Sequence, residues 1–257
     1  MKLSSKELKR QARKTLSGHY GLPMGAFVIT ELIVLVADLP FNLMMQNPPT
    51  QLQMIVSSLA NIIISLLSIV LSCGLTYIHM NLARKKQTSI SDLFCFFSKR
   101  PDRFILSGLL LMGIMILIMI PAAICTVAAL LLSSVPIFLL MAVIWIITCV
   151  FMLILSYSYG LVYYILIDEP DCRILSAFRK SRSLMHGNKG RMFYISFSFL
   201  GMILLGLLSL GIGLLWVVPY INQTMVEFYR NVTREFPAES NIPFQTNDLE
   251  ERNILYD

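Results

Sequence analysis

The chain has 257 residues, of which 56% are hydrophobic and only 14% are charged. A chain of this composition cannot cover its own surface with polar side chains, which excludes an ordinary water-soluble domain and indicates that its main solvent is lipid. The formal net charge is +6. In a membrane protein a basic excess marks loops beside an anionic bilayer, so we expect anionic lipid headgroups as partners and no nucleic acid.

The first twenty residues are polar and basic and predict a short amphipathic helix. Ser4 and Glu7 have the spacing of a capping box, and Leu8, Ala12 and Leu16 follow as an i, i+4, i+8 apolar stripe. We expect this helix to lie on the cytosolic side, at the membrane surface.

Long apolar runs then predict transmembrane helices. Four runs each reach the roughly 20 residues that cross a bilayer core. A fifth is too long for one straight span, and Leu210-Gly211-Ile212-Gly213 offers a turn within it. The predicted spans cover residues 22–45, 54–77, 104–132, 136–167, 192–210 and 214–229. The sequence therefore predicts an all-α polytopic membrane fold of about six transmembrane helices with basic amphipathic interfacial segments.

The 21 Lys and Arg residues all fall in alternate connecting segments. Six precede the first span, six lie between Arg84 and Arg103, six between Arg173 and Arg191, and three from Arg230 onward. Because basic loops stay in the cytosol, we expect both termini there. A single last helix broken at the glycines would instead place the C-terminus on the opposite side.

The spans form one predicted membrane domain, residues 1–232. The tail at 233–257 is acidic and poor in apolar residues, and we expect it to be disordered in the cytosol.

Within the domain, a basic segment precedes a pair of spans three times, at residues 1–80, 81–167 and 168–232. The first and third units share a GxxG step, Gly18-His19-Tyr20-Gly21 and Gly187-Asn188-Lys189-Gly190. Such segments can lie among headgroups with their charges on anionic lipid, although any basic interfacial connector has the same pattern.

Two acidic residues inside the first predicted span begin the candidate intramembrane polar site. Glu31 and Asp38 are seven residues apart, hence on one helical face and about 10 Å apart. Ionisable groups at this depth are costly and are candidate proton or cation sites in a transport path. The structural alternative is that Glu31 is protonated or hydrogen-bonded to Asn61, with Asp38 in the outer interface. Asn222 in the last span completes the set, or serves a helix–helix hydrogen bond instead.

A second candidate site is a basic cytosolic surface for anionic headgroups or for the acidic surface of a membrane-protein partner. It consists of Lys9, Arg10, Arg13 and Lys14 in the first helix and Arg179, Lys180, Arg182 and Lys189 in the third basic segment.

The sequence contains no HExxH, GxSxG, P-loop or GxGxxG motif. The histidines His19, His79 and His186 have no local zinc-ligand spacing, and the five cysteines form no CxxC pair. We therefore expect no metal, no cofactor and no catalytic residue, which favours a non-enzymatic protein.

The chain resembles a known family over nearly its whole length up to about Val232, with the matching residues densest from Tyr157 to Tyr229. The residues that carry the resemblance are Tyr157-Ser158-Tyr159, Pro170, Met185-His186-Gly187-Asn188-Lys189, Leu210-Gly211-Ile212-Gly213, Trp216 and Pro219-Tyr220. They are similar to the family of multipass integral membrane proteins catalogued as domain of unknown function 975, and the likeness extends to the N-terminal Lys-Glu-Leu-Lys helix. The resemblance implies a bacterial plasma-membrane location and an all-helical fold, and it implies no reaction, substrate or site.

Two main functions follow from these patterns. The first is a non-enzymatic scaffold or accessory subunit with basic segments at the membrane surface, and the second is a small transporter or exporter component that uses Glu31. An intramembrane enzyme acting on lipid ranks third. A polar cavity containing Glu31 would favour transport, whereas Glu31 turned toward lipid would favour the scaffold.

Overall fold

A computed structural model of the chain describes residues 3–44, 49–132 and 134–235. Within these ranges every regular element is helical, which confirms the all-α fold class. The tail predicted to be disordered lies outside the described residues, apart from its first three positions.

Eleven α-helices are found in the described part of the chain. They are α1 (Ser5–Leu16), α2 (Gly21–Met44), α3 (Gln51–Ala83), α4 (Cys95–Ser98), α5 (Pro101–Leu132), α6 (Val135–Tyr159), α7 (Val162–Asp168), α8 (Ile174–Met185), α9 (Lys189–Phe197), α10 (Leu200–Leu208) and α11 (Leu214–Val232). A short 3-10 helix, Ile90–Phe94, precedes α4.

Five helical segments among the described residues are long and apolar enough to cross a membrane. They are α2, α3, α5, the continuous pair α6 and α7, and the pair α9 and α10. Their large apolar side chains face outward, as Leu131 does with 78% of its surface exposed. An apolar exterior of this kind suits lipid and not water, so the chain is a polytopic membrane protein.

The sixth predicted span corresponds to α11, which is polar where the others are apolar. Gln223, Thr224 and Glu227 of α11 are buried, and the helix packs against α1, α2, α3 and α10. Because neighbouring helices surround this part of α11, it does not need a continuous apolar surface. The turn before it forms at the predicted glycines, where Leu210 and Gly211 adopt φ angles of 56° and 85°.

Helix α1 forms with its predicted cap and stripe. Ser4 and Glu7 make both hydrogen bonds of the capping box, and the bonds from Ser4 lower the pKa of the Glu7 carboxyl. Leu8, Ala12 and Leu16 are fully buried. The stripe is covered by α3, α9 and α11, so protein and not the headgroup layer covers the apolar face of this helix.

The GxxG steps of the first and third units have the same backbone geometry. Ser17 (φ −58°, ψ 120°) and Gly18 (φ 81°) make a turn closed by the hydrogen bond from His19 N to Leu16 O. His186 (φ −63°, ψ 123°) and Gly187 (φ 72°) repeat it after α8. These angles are those of a type II turn, whose third position requires a positive φ and therefore favours glycine.

Distant parts of the chain meet at one end of the helix bundle. The Leu3 amide donates to Asn231 Oδ1 at 3.3 Å, and the end of α3 pairs through Arg84 with Asp168 at 2.7 Å and with Glu235 at 2.7 Å. The start of α1 and the ends of α3, α7 and α11 therefore lie together. We call this the basic end, because the connecting segments there carry the Lys and Arg residues.

Candidate functional site

A groove of about 520 Å³ runs along α3, with walls from α2 and α7. Its polar residues from α3 are Asn61, Ser65, Ser68, Ser72 and Thr76. Spacings of three and four residues place these side chains on one face of the helix. The stripe is roughly 22 Å long at 1.5 Å per residue, most of the thickness of a bilayer core.

Three of the four hydroxyl groups of this stripe donate hydrogen bonds within their own helix. Ser65 donates to Asn61 O at 2.7 Å, Ser68 to Ile64 O at 2.8 Å, and Thr76 to Ser72 O at 2.8 Å. Back-bonding of this kind lowers the cost of a hydroxyl in lipid, and it leaves the oxygen lone pairs of Ser65, Ser68 and Thr76 as acceptors toward the groove.

The predicted intramembrane residues divide between this groove and other places. Asp38 and Asn61 line the groove, whereas Glu31 is exposed on α2 and is not among the lining residues. No hydrogen bond joins Glu31 to Asn61 in the described structure. Asn222 lies half-buried on α11, away from the groove lining. The groove therefore brings together two of the four residues, and the hydroxyl stripe was not singled out from the sequence.

A buried polar network connects α11 to α1 and α3. His79 Nδ1 lies 2.9 Å from Gln223 Oε1, and Gln223 Nε2 donates to Glu227 Oε1 at 3.3 Å. The Glu227 carboxylate also accepts from Thr15 at 3.1 Å and from Arg230 at 2.9 Å. The sequence alone indicates no partner for His79, since its partner lies more than a hundred residues away.

A second set of polar contacts extends this network at the basic end. Arg84 donates two hydrogen bonds to Glu235, and these bonds with its contacts to Asp168 raise the pKa of the guanidinium. Tyr229 donates to Asp168 Oδ2 at 3.1 Å. The charge of Arg84 is thus already matched by two carboxylates.

Some side chains of the predicted basic surface contact other residues of the protein, and the others make no ion pair in the described chain. Lys9 Nζ lies 4.0 Å from the ring centroid of Phe199, and burial lowers the pKa of this ammonium group. Arg13 Nε donates to Tyr220 Oη at 2.9 Å, and Lys180 is paired with Glu169. The remaining residues make no ion pair within the described chain; they are Arg10, Lys14, Arg179, Arg182 and Lys189.

Comparison with known proteins identifies the family of the chain. Residues 1–235 match the family described as "Protein of unknown function (DUF975)". The match covers nearly the whole chain, so the chain belongs to this family, as the resemblance predicted. No curated protein and no solved structure matches it.

Proposed function

We propose that this DUF975 member is a non-enzymatic scaffold or accessory subunit of the bacterial plasma membrane. Its basic cytosolic segments would bind anionic headgroups or the acidic surface of a membrane-protein partner. The observation that carries the proposal is the outward orientation of Arg10 and Lys14 on α1 and of Arg179 and Arg182 on α8, all of which are exposed.

Both basic helices are fixed on the protein by their apolar faces. In α8, Ala177, Phe178 and Met185 are buried, as the apolar stripe of α1 is. Because packing holds these helices in place, their charged faces form a preorganised surface and lose little conformational freedom on binding. Each Lys or Arg near an anionic membrane contributes about 1 kcal/mol of binding free energy.

The proposal includes a multipass topology of six crossings with both termini in the cytosol. It is supported by the contact between Leu3 and Asn231 and by the pairing of Arg84 with Glu235. Two ends of a domain that contact each other lie on the same side of a membrane, and only an even number of crossings gives that arrangement.

The test measures binding of the purified protein to immobilised phosphatidylglycerol vesicles, with phosphatidylcholine vesicles as reference. Replacing Arg10, Lys14, Arg179 and Arg182 together with Gln should weaken binding by about a hundredfold or more, and added salt should reduce the difference. Replacing the three arginines with Lys keeps the charge and should leave binding nearly unchanged. Wild-type binding by the Gln variant would contradict the proposal.

The groove favours a second candidate function, a small transporter or exporter component. Its acidic residue would be Asp38 in place of Glu31, because Asp38 lines the groove and Glu31 is exposed outside it. No Lys or Arg occurs between residues 21 and 83 to neutralise either carboxyl.

In reconstituted vesicles with a pH gradient, Asp38→Asn should abolish proton-coupled flux, while Glu31→Gln, a matched change on the same helix, should retain it. Equal flux in Asp38→Asn and wild type would exclude this function for the groove.

A further inference from the structure

The basic end contains a second cavity, of about 860 Å³, that neither candidate function uses. It opens between the turn that joins α1 to α2, residues 18–22, and the chain that leaves α3, residues 82–88. Its lining combines cationic and apolar groups, and the residues that matter here are His19, Leu22, Leu82, Lys85, Lys86 and Thr88.

Two lysines of this cavity are exposed and have no acidic partner in the described chain. Both line the cavity, and hydrogen bonds from Lys85 N to Leu82 O at 3.0 Å and from Lys86 N to Asn81 O at 2.9 Å fix the backbone that carries them. The preceding Arg84 differs, since Asp168 and Glu235 already pair with it. The positive charge of Lys85 and Lys86 is therefore available to a ligand.

The acidic residue nearest in this loop is held by the loop itself. Asp92 Oδ2 accepts from Thr88 Oγ1 at 2.9 Å and from the Ser89 amide at 2.9 Å. His19 is also partly engaged, since its Nδ1 lies 3.3 Å from Ser17 O. The net charge at the cavity opening is positive.

The position of the cavity suits a ligand that is both anionic and apolar. Leu22 belongs to the first turn of α2 and Leu82 to the last turn of α3, so both lie where the first helical hairpin leaves the apolar layer. Lipid phosphates occupy this level of a bilayer, and juxtamembrane lysines are attracted to them. The lysines thus lie beside the headgroup layer, and the two leucines lie on its apolar side.

We propose that this cavity binds a phosphate ester, with the phosphate between the ammonium groups of Lys85 and Lys86 and the attached carbon chain against Leu22 and Leu82. An anionic phospholipid headgroup and a free phosphate ester share this chemistry. In its lipid form the inference deepens the proposed function and rests on it.

The test is native mass spectrometry of the full chain in detergent, titrated separately with phosphatidylglycerol and with glycerol phosphate. The double variant Lys85→Gln/Lys86→Gln should bind the phosphate ester about 30-fold more weakly, since each lysine near an anionic lipid contributes about fivefold. The control Lys6→Gln/Lys99→Gln removes the same charge from exposed positions outside both the cavity and the basic surface, and should bind like wild type.

Competition between the two probes identifies the source of the phosphate. Lipid that glycerol phosphate cannot displace indicates a membrane headgroup, and full displacement indicates a free ester; both support the site. The proposal is overturned if wild type binds neither probe more tightly than the Lys85/Lys86 variant does, or if the Lys6/Lys99 control loses as much affinity.

Two further variants make the result interpretable. Lys85→Arg/Lys86→Arg keeps both charges and should restore binding, which excludes misfolding as the cause of a loss. The fourfold Gln variant of α1 and α8 should lose vesicle binding and still hold one phosphate ester. Unchanged vesicle binding in that variant would reject the basic-surface function and leave the cavity proposal intact. Equal binding of the phosphate ester by wild type and by the Lys85/Lys86 variant would reject the cavity proposal and leave the basic-surface function intact.

Discussion

His79 Nδ1 lies 2.9 Å from Gln223 Oε1, and both side chains are completely buried between α3 and α11. The Gln223 amide also donates to Glu227, whose carboxylate accepts from Thr15 of α1. One amide thus connects the packing of three helices. Buried polar groups are costly when they lose their partners, so Gln223 is expected to contribute more to stability than its size suggests.

Replacing Gln223 with Leu should lower the free energy of unfolding by about 2–3 kcal/mol, because it leaves both His79 and Glu227 short of a partner. The measurement is the denaturation midpoint in detergent. Asn222→Leu is the matched control, since Asn222 is adjacent and half-buried and its side chain makes no hydrogen bond in the described chain. Equal effects at the two positions would mean that the network adds no stability.

At the turns after α1 and α8, replacing glycine with alanine should have opposite effects on stability at the two ends of each GxxG step. Gly18→Ala and Gly187→Ala should each destabilise by about 1–2 kcal/mol, because a Cβ is strained at these positive φ angles. Gly21→Ala and Gly190→Ala add a methyl group in open space on a helical backbone, and should be neutral or stabilising by up to about 1 kcal/mol. Thermal unfolding of the four variants tests the pattern, which fails if position within the GxxG step makes no difference.

Gly74 is required for the contact of α3 with the short helix Ile90–Phe94. A Cβ at this position would lie 2.0 Å from the Leu93 carbonyl oxygen, a backbone atom that cannot rotate away. Gly74→Ala should therefore cost at least about 1–3 kcal/mol through overpacking. Gly113→Ala on α5, where nothing lies within 4 Å, is the control and should not destabilise the protein. An unfolding midpoint of Gly74→Ala equal to that of the control would show that the contact is loose.

Local features of the fold could be predicted from the sequence because local chemistry determines them. The cap of α1, its buried stripe and the turn at Gly211 each depend on residues a few positions apart. The lining of the candidate site could not be predicted in this way, because it depends on how separate helices pack together. Glu31 and Asp38 are seven residues apart on one helix, yet only Asp38 lines the groove between α2, α3 and α7, and Glu31 is exposed outside it.

The contacts of the basic surface could not be predicted from the sequence either. Charge pattern alone cannot reveal that Lys9 lies on Phe199 or that Arg13 bonds to Tyr220, because each partner lies about two hundred residues away in sequence. The hydroxyl stripe of α3 was overlooked for a different reason. Serine and threonine are common in membrane helices, and their spacing becomes informative only beside an open groove.

The side of the membrane on which the C-terminus lies depends on whether α11 crosses the bilayer. Five apolar segments alone would leave the two ends of the chain on opposite sides of the membrane, whereas Leu3 and Asn231 are in contact. If α11 returns across the bilayer, packing against α1 and α3 must shield Glu227, which is 1% exposed. A green fluorescent protein fused after Asp257 should therefore fluoresce in the cytosol, and an alkaline phosphatase inserted in the loop after α2 should be active outside. An active phosphatase after Asp257 would instead show that α11 does not cross, and would leave the contact between Leu3 and Asn231 impossible in the membrane.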